Sequence, residues 1–167
     1  LRVADLLDVT ITPETAARLE ASATTTASSF NAFTQGRGML VLAADLAAVE
    51  TAGDFFEQAV SDDRLFTDGW VMRARSRLAL FEFTGDENLI QDGLQEAERA
   101  RELKGRPEDA WRVTAALHLA AGRSDEAVTA LKAAVRSAPD DADLRLELAG
   151  AHLSAGRVDD AESELKA

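Results

Sequence analysis

Two histidines of this chain have a residue type and a spacing that could support chemistry. His118 and His152 are its only histidines, and 34 residues separate them. Two imidazoles brought together could bind a metal ion or sense pH near neutrality. Because no carboxylate stands at ligand spacing beside either histidine, we expect both to fill packing positions instead.

Adjacent acidic residues form a second group of candidates, since paired carboxylates can act as general acid and base. Asp62-Asp63, Asp140-Asp141 and Asp159-Asp160 are such pairs. All three stand where we expect a helix start or a turn, and the dipole of a helix favours carboxylates at its N-terminus. We therefore expect capping and solvated turns here, and no catalytic residues.

Four arginines complete the candidates. Arg73, Arg75 and Arg77 fall in one predicted helix and Arg112 in a later one. A guanidinium can bind a carboxylate through two parallel hydrogen bonds. If the helices line a groove, these arginines are candidate contacts for a protein or peptide partner. Alternatively, they pair with acidic side chains of neighbouring helices.

Composition limits what these residues can do. The 167 residues carry a formal net charge of −12, which disfavours nucleic acid and anionic membranes as partners. The absence of cysteine excludes disulfides, thiolate metal sites and thiol catalysis. The longest apolar stretch, residues 39–49, is interrupted by Asp45, so we expect no membrane contact. We also expect no cofactor and no metal.

An internal repeat defines the elements that must position these side chains. Shifted by 34 residues, segment 119–127 aligns with segment 153–161. This period and the residue types resemble the tetratricopeptide repeat, a helix–turn–helix unit in which small residues let two helices approach closely and a proline follows the second helix. The residues at signature positions, which we expect to pack, are Trp111, Ala115, His118, Gly122, Ala127, Leu131, Pro139, Ala149, His152, Gly156, Ala161 and Leu165.

Less regular helix pairs precede these two units. We predict helices over 70–83 and 89–103, and before them over 29–42 and 45–60. The segment Gly36-Arg37-Gly38 inside the first of these is too short to cradle a phosphate. Each glycine costs about 1 kcal/mol of helix stability relative to Ala, so we expect a packing reason for them.

The prediction is an all-α fold, a right-handed tetratricopeptide-type α-solenoid of about four helix pairs, at residues 29–64, 67–104, 108–139 and 142–167. Residues 1–28 do not repeat. Within them, 3–9 read as the end of a helix, Thr12 and Pro13 as a helix start, and 22–29 as a Ser/Thr-rich linker.

A second resemblance covers the N-terminal part. Residues 3–14 (VADLLDVTITPE), 24–25 (TT) and 29–38 (SFNAFTQGRG) resemble a junction in bacterial signalling proteins with C-terminal tetratricopeptide arrays. Receptor-type serine/threonine kinases and class III adenylate cyclases are among these proteins. The resemblance implies that residues 1–28 end a TolB-like domain. It also implies that the array is a sensory or scaffolding region, although the sequence holds no kinase motif.

The predicted function is partner binding without catalysis. First helices of tetratricopeptide pairs line a concave groove that binds extended peptides. One alternative is an oligomerisation element of a larger signalling enzyme, so the partner could be a second copy of the chain. The chain starts at Leu1 and stops at Ala167 within a predicted helix, so we expect it to be a piece of a larger protein. That protein could be an enzyme. If it spans a membrane, the sequence is compatible with this segment on either side.

Overall fold

The computed structural model describes residues 12–103 and 105–166, and the regular structure in them is helical throughout. The helix end expected at 3–9 lies outside the described residues. Each array helix predicted upstream of residue 104 begins and ends within three residues of its expected bounds. The helices of the described segments are α1 Pro13–Ser22, α2 Ala27–Val41, α3 Leu46–Asp62, α4 Thr67–Thr84, α5 Glu87–Glu102, α6 Pro107–Ala120, α7 Ser124–Ser137, α8 Ala142–Ser154 and α9 Val158–Lys166.

Helices α2 to α9 form four pairs that stack in chain order. Each helix packs against its neighbours in sequence, and the first helices of successive pairs also touch: α2 with α4, α4 with α6, and α6 with α8. Contacts restricted to neighbouring units are the arrangement of a solenoid. The predicted all-α solenoid of about four helix pairs is confirmed. Helix α1 contacts α4 and stands outside the pairs.

Acidic caps and left-handed glycines mark the helix ends. The carboxylates of Asp45, Asp86 and Asp141 accept hydrogen bonds from backbone N–H groups of the first turns of α3, α5 and α8. Such caps satisfy donors that the helix itself leaves free. Gly85, Gly122 and Gly156 end the first helices of three pairs with φ of 69°, 71° and 74°. Glycine adopts this conformation at little cost, so these turns reverse the chain within a few residues.

Four signature alanines occupy the layers between helices, whereas the signature residues Gly122 and Gly156 are exposed in the turns. Ala115, Ala127, Ala149 and Ala161 are at most 2% exposed, which permits the close helix approach that we predicted. His152 and Leu131 are also buried, His118 and Trp111 are half-buried, and Pro139 is exposed just after α7 ends at Ser137.

Leu165 departs from the expected packing role, because it is 61% exposed. Its counterpart one repeat earlier, Leu131, is only 2% exposed within the core cluster that includes Leu144 and Leu148 of α8. Within the part that the structure describes, no helix covers the corresponding face of α9. In the preceding repeat, Leu131 packs against the helix that follows it, and among the described residues Leu165 has no such helix to pack against.

The two glycines of α2 have different surroundings. A Cβ atom at Gly36 would lie 2.8 Å from Cε1 of Phe56, so only glycine lets α3 approach this closely. A Cβ atom at Gly38 would meet nothing within 4 Å. The expected packing reason therefore exists for Gly36 and not for Gly38.

Candidate partner-binding groove

Two cavities lie side by side along the surface formed by the first helices of the pairs. The larger, about 650 Å³, is lined by α4, α6 and α8 with one residue of α7. The smaller, about 360 Å³, is lined by α2, α4 and the start of α6. Arg75 borders both cavities, so they adjoin at this residue, and we call the two together the first-helix groove. Its lining includes Arg37, Met72, Arg75, Ala79, Arg112, Ala116, Glu147 and Gly150.

Helix periodicity explains which residues reach the larger cavity. Each first helix contributes residues spaced i, i+3, i+4 and i+7, which lie on one helix face. Small residues stand near the middle of each set: Ala79 on α4, Ala116 on α6 and Gly150 on α8. A Cβ atom at Gly150 would meet nothing within 4 Å. The groove is therefore open because its centre lacks long side chains.

Two arginines of the groove have acidic partners. The Arg112 guanidinium forms a bidentate pair with Glu147, with Nε donating to Oε2 at 3.2 Å. This hydrogen-bonded pairing raises the pKa of Arg112. Arg106 Nη2 lies 2.7 Å from an oxygen of Asp109 and 3.9 Å from one of Asp68. Burial raises the pKa of Asp68, and the charge of Arg106 opposes that rise.

Two other arginines of the groove lack such partners. Arg75 is exposed and has no ion pair or hydrogen bond with any described residue. Arg37 is also exposed, and its guanidinium carbon lies 5.7 Å from the centroid of the Phe33 ring. Both side chains can therefore take an anionic group without breaking an existing ion pair.

Arg73 and Arg77 lie outside the groove, and the alternative of pairing with acidic neighbours holds for them. Arg77 Nε donates to Glu96 Oε1 at 3.1 Å, and Arg73 Nε lies 3.0 Å from the same oxygen. Arg73 also pairs with Glu57 of α3. We call Arg73, Arg77 and Glu96 the buried ion cluster, because the Glu96 side chain is only 9% exposed.

Helix geometry separates these arginines from Arg75. Each residue of an α-helix is rotated by about 100° from the one before it, so residues two apart point to nearly opposite sides. Arg73 and Arg75 therefore face opposite sides of α4. Sequence reasoning missed Glu96 altogether. Its local signal is its place among the small residues Gly93, Ala97 and Ala100, all of which are buried.

The histidines occupy packing positions near the turns. His152 is 1% exposed, with Nδ1 3.7 Å from Oδ2 of Asp160, too far for a hydrogen bond. Partial burial lowers the pKa of His118. In the segments that the structure describes, no group of three or more acidic or histidine side chains could hold a metal ion. Nor is any helix of those segments long and apolar enough to cross a membrane.

Comparison with known proteins identifies the repeat. Residues 86–141 and 118–167 match two family models, both described as tetratricopeptide repeat. No curated protein matches the chain significantly in sequence.

Solved structures of similar fold cover most of the chain. Two crystal structures of MamA superpose with TM-scores of 0.65 and 0.64 at 15% and 14% identity. Each covers 83% of this chain, and the match spans 74% and 69% of the respective MamA chain. A thermophilic TPR protein from Thermus thermophilus superposes with a TM-score of 0.53 at 17% identity, over 81% of this chain and 87% of its own. Residues 86–167 thus carry tetratricopeptide repeats, and the described array has the fold of a tetratricopeptide-type solenoid.

Proposed function

We propose that this chain is a non-catalytic module that binds a protein or peptide partner in the first-helix groove. The observation that carries the proposal is the groove itself, two cavities that together are lined by residues of four first helices and that share Arg75 as a lining residue. Tetratricopeptide repeats typically mediate protein–protein interaction. The residues of the groove contain no arrangement that we recognise as catalytic.

The size of the groove suits a short extended segment. Packed helices lie about 8–10 Å apart, so four first helices span about 25–30 Å. An extended chain advances about 3.3 Å per residue, so about eight residues would fill this length. Such a segment could meet both cavities at once, which favours a peptide over a single small molecule.

Selection from a peptide library tests the proposal. Random peptides of about 12 residues, somewhat longer than the groove, are displayed and selected on the immobilised protein, and affinities are then measured by fluorescence anisotropy. Gly150→Trp places a large ring in the larger cavity at a position with free space. Gln91→Trp, at an exposed position of α5, is the matched control.

We expect the selected peptides to bind the wild type and Gln91→Trp equally and to lose at least about tenfold in affinity for Gly150→Trp, because the ring occupies their site. Circular dichroism checks that both variants remain folded. Failure to select any peptide, or equal binding to Gly150→Trp, contradicts the proposal.

Self-association is a second candidate function, favoured by the exposed apolar residues of the last helix pair. Leu146, Leu153, Val158 and Leu165 are 55–63% exposed on α8 and α9. Apolar side chains grouped at one end of an array can bury each other across a dimer. Light scattering should then give a mass above the 17.9 kDa monomer that falls to it in Leu165→Glu. A monomeric wild type would contradict this function.

We propose further, on the sequence resemblance alone, that the module serves a bacterial signalling protein, either a receptor-type serine/threonine kinase or a class III adenylate cyclase. Phe33, where that family usually has Tyr, packs edge-on against Phe66 with ring centroids 4.8 Å apart, so its packing role needs no hydroxyl. The reading frame of the parent protein tests this. A frame that encodes neither catalytic domain contradicts it.

A further inference from the structure

We infer that the partner of the first-helix groove presents an extended segment with one internal acidic side chain between two apolar side chains, and that Arg75 binds the acid. The inference deepens the proposed function and rests on it. It assigns the chemistry of the ligand and the residue that selects it. Three features carry it: the charge state of the groove, the apolar lining on both sides of Arg75, and the position of Arg75 between the cavities.

The charges of the groove favour an acidic ligand at Arg75. Arg106 and Arg112 already have carboxylate partners, whereas Arg75 is exposed and has none among the described residues. A carboxylate that reaches Arg75 can form two parallel charge-assisted hydrogen bonds without displacing a resident acid. At Arg112 an incoming carboxylate would be repelled by Glu147, so that position does not select a second acid.

The rest of the molecule sharpens this selectivity. The chain carries a net charge of −12, so most of its surface repels an acidic segment. Arg37, which forms no ion pair with a described residue although its charge lowers the pKa of Asp68, borders the smaller cavity together with Arg75. The two cavities are lined by four arginines and by four acids, Asp68, Glu82, Asp109 and Glu147, so the groove is balanced in charge on a chain of net charge −12. Within this balanced lining, Arg75 is an arginine that no described acid holds in an ion pair.

Apolar side chains line the groove on both sides of Arg75. In the smaller cavity these are Leu40, Val41 and Met72, of which Val41 is 82% exposed. In the larger cavity Leu119, 36% exposed, and half-buried Leu78 lie beside the small groove residues. Exposed apolar surface rimmed by charge is typical of sites that bind apolar side chains of a partner.

The position of Arg75 makes an internal acid fit better than the carboxyl end of a peptide. Because Arg75 borders both cavities, a peptide that ended there would leave one of them empty. Adjacent helices are about 8–10 Å apart, which corresponds to about three residues of extended chain. We therefore expect the two apolar side chains about three to five residues apart, with the acid between them.

Parallel selections test the inference with three forms of the protein. The same library of displayed peptides is selected on the wild type, on Arg75→Gln and on Arg136→Gln. Arg136 is the matched control, because it is exposed on the second helix α7 and has no ion pair among the described residues. We expect Asp or Glu to be enriched between two apolar positions on the wild type and on Arg136→Gln, and not on Arg75→Gln.

A selected peptide and its acid-to-amide analogue complete the test as a double-mutant cycle. Removing the acid should lower the affinity for the wild type about tenfold, the usual size for loss of a charge-assisted hydrogen bond, and should leave the affinity for Arg75→Gln unchanged. The affinities of both peptides for Arg37→Gln are measured in the same way.

The possible failures are distinguishable. Peptides that are sensitive to Gly150→Trp but show no acidic enrichment, or whose acid depends on Arg37 and not on Arg75, overturn the inference and leave the proposed function standing. Peptides that ignore Gly150→Trp, or the absence of any selected peptide, overturn both.

Discussion

Helix α4 places the same residue type on two faces with opposite consequences. On one face, Arg73 and Arg77 neutralise the buried carboxylate of Glu96 and tie α4 to α5, while Arg73 also reaches Glu57 of α3. On the other face, Arg75 borders the first-helix groove without an acidic partner. The comparison teaches that position around the helix decides whether an arginine stabilises the array or is available to a partner.

Removal of the cations of the buried ion cluster should have the largest effect. Arg73→Met with Arg77→Met leaves Glu96 buried and uncompensated, which we expect to lower the free energy of unfolding by about 3–5 kcal/mol. Arg75→Met, the matched control, should change it by less than about 0.5 kcal/mol, because that side chain is exposed and unpaired. Urea unfolding measures both. Similar losses in the two variants would show that the two faces of α4 are equivalent.

Gly36 and Gly38 of α2 are also two residues apart, so they test on another helix whether opposite faces have opposite effects on stability. Gly36→Ala should destabilise the protein by about 1–3 kcal/mol, because the added Cβ would lie against the Phe56 ring. Gly38→Ala should stabilise it by about 0.5–1 kcal/mol through helix propensity, since its Cβ meets nothing. Thermal unfolding of both variants gives the comparison, and a change of the same sign in both would contradict the packing described here.

The buried ion cluster should also make stability depend on pH. Burial raises the pKa of Glu96, so the folded protein holds this proton more tightly than the unfolded chain does. The free energy of unfolding therefore falls as pH rises from the ordinary carboxyl range through that raised pKa. Arg73 and Arg77 lower the pKa of Glu96, so removing both raises this pKa further. The free energy of unfolding then falls over a wider pH range.

We expect the deficit of the Arg73→Met, Arg77→Met variant to be about 1–2 kcal/mol larger near pH 7 than near pH 4.5, since each unit of pKa shift corresponds to about 1.4 kcal/mol. Urea unfolding at both values measures this. Adding Glu96→Gln to the wild type and the variant should abolish the difference. A deficit that is independent of pH would place the cause elsewhere.

Arg75 and Arg112 should differ from each other in their contribution to the affinity for a peptide. With a peptide selected as above, Arg75→Gln should weaken affinity about tenfold and Arg112→Gln about threefold or less, because Glu147 already neutralises Arg112. Fluorescence anisotropy at one salt concentration compares them. A larger loss of affinity for Arg112→Gln would mean that Arg112 leaves Glu147 and binds the peptide.

Much of the fold could be predicted from the sequence, because the relevant signals are local. The 34-residue period, the small residues at Ala115 and Ala149 and the turn glycines specify two helix pairs without any tertiary information. The level of each α4 residue along the groove could not be predicted equally well. Helix α4 has 18 residues and α6 has 14, so an extra turn shifts the register between them. Aligning Trp70 with Trp111 matches Arg75 to Ala116, whereas aligning Gly85 with Gly122 matches it to Arg112, one turn earlier on the same groove-lining face of α6.

The buried ion cluster could not be predicted because its members are not neighbours in sequence. A charged residue within an amphipathic pattern is ordinarily assigned to solvent, whereas the buried carboxylate of Glu96 is compensated by Arg73 and Arg77, which reach it from another helix. The pairing of Arg112 with Glu147, 35 residues later, has the same origin. Which arginines of the groove stay unpaired thus depends on contacts between repeats.

Mapping a bound peptide by NMR tests the central claim most directly. A peptide selected on the wild type is titrated into ¹⁵N-labelled protein, and the shifted amides are placed on the helices. We predict that the largest shifts fall on α4, α6 and α8 around Ala79, Ala116 and Gly150, with Arg75 side-chain resonances moving in step. Shifts confined to α3, α5 and α7, on the side of Glu57 and Glu96, would contradict it.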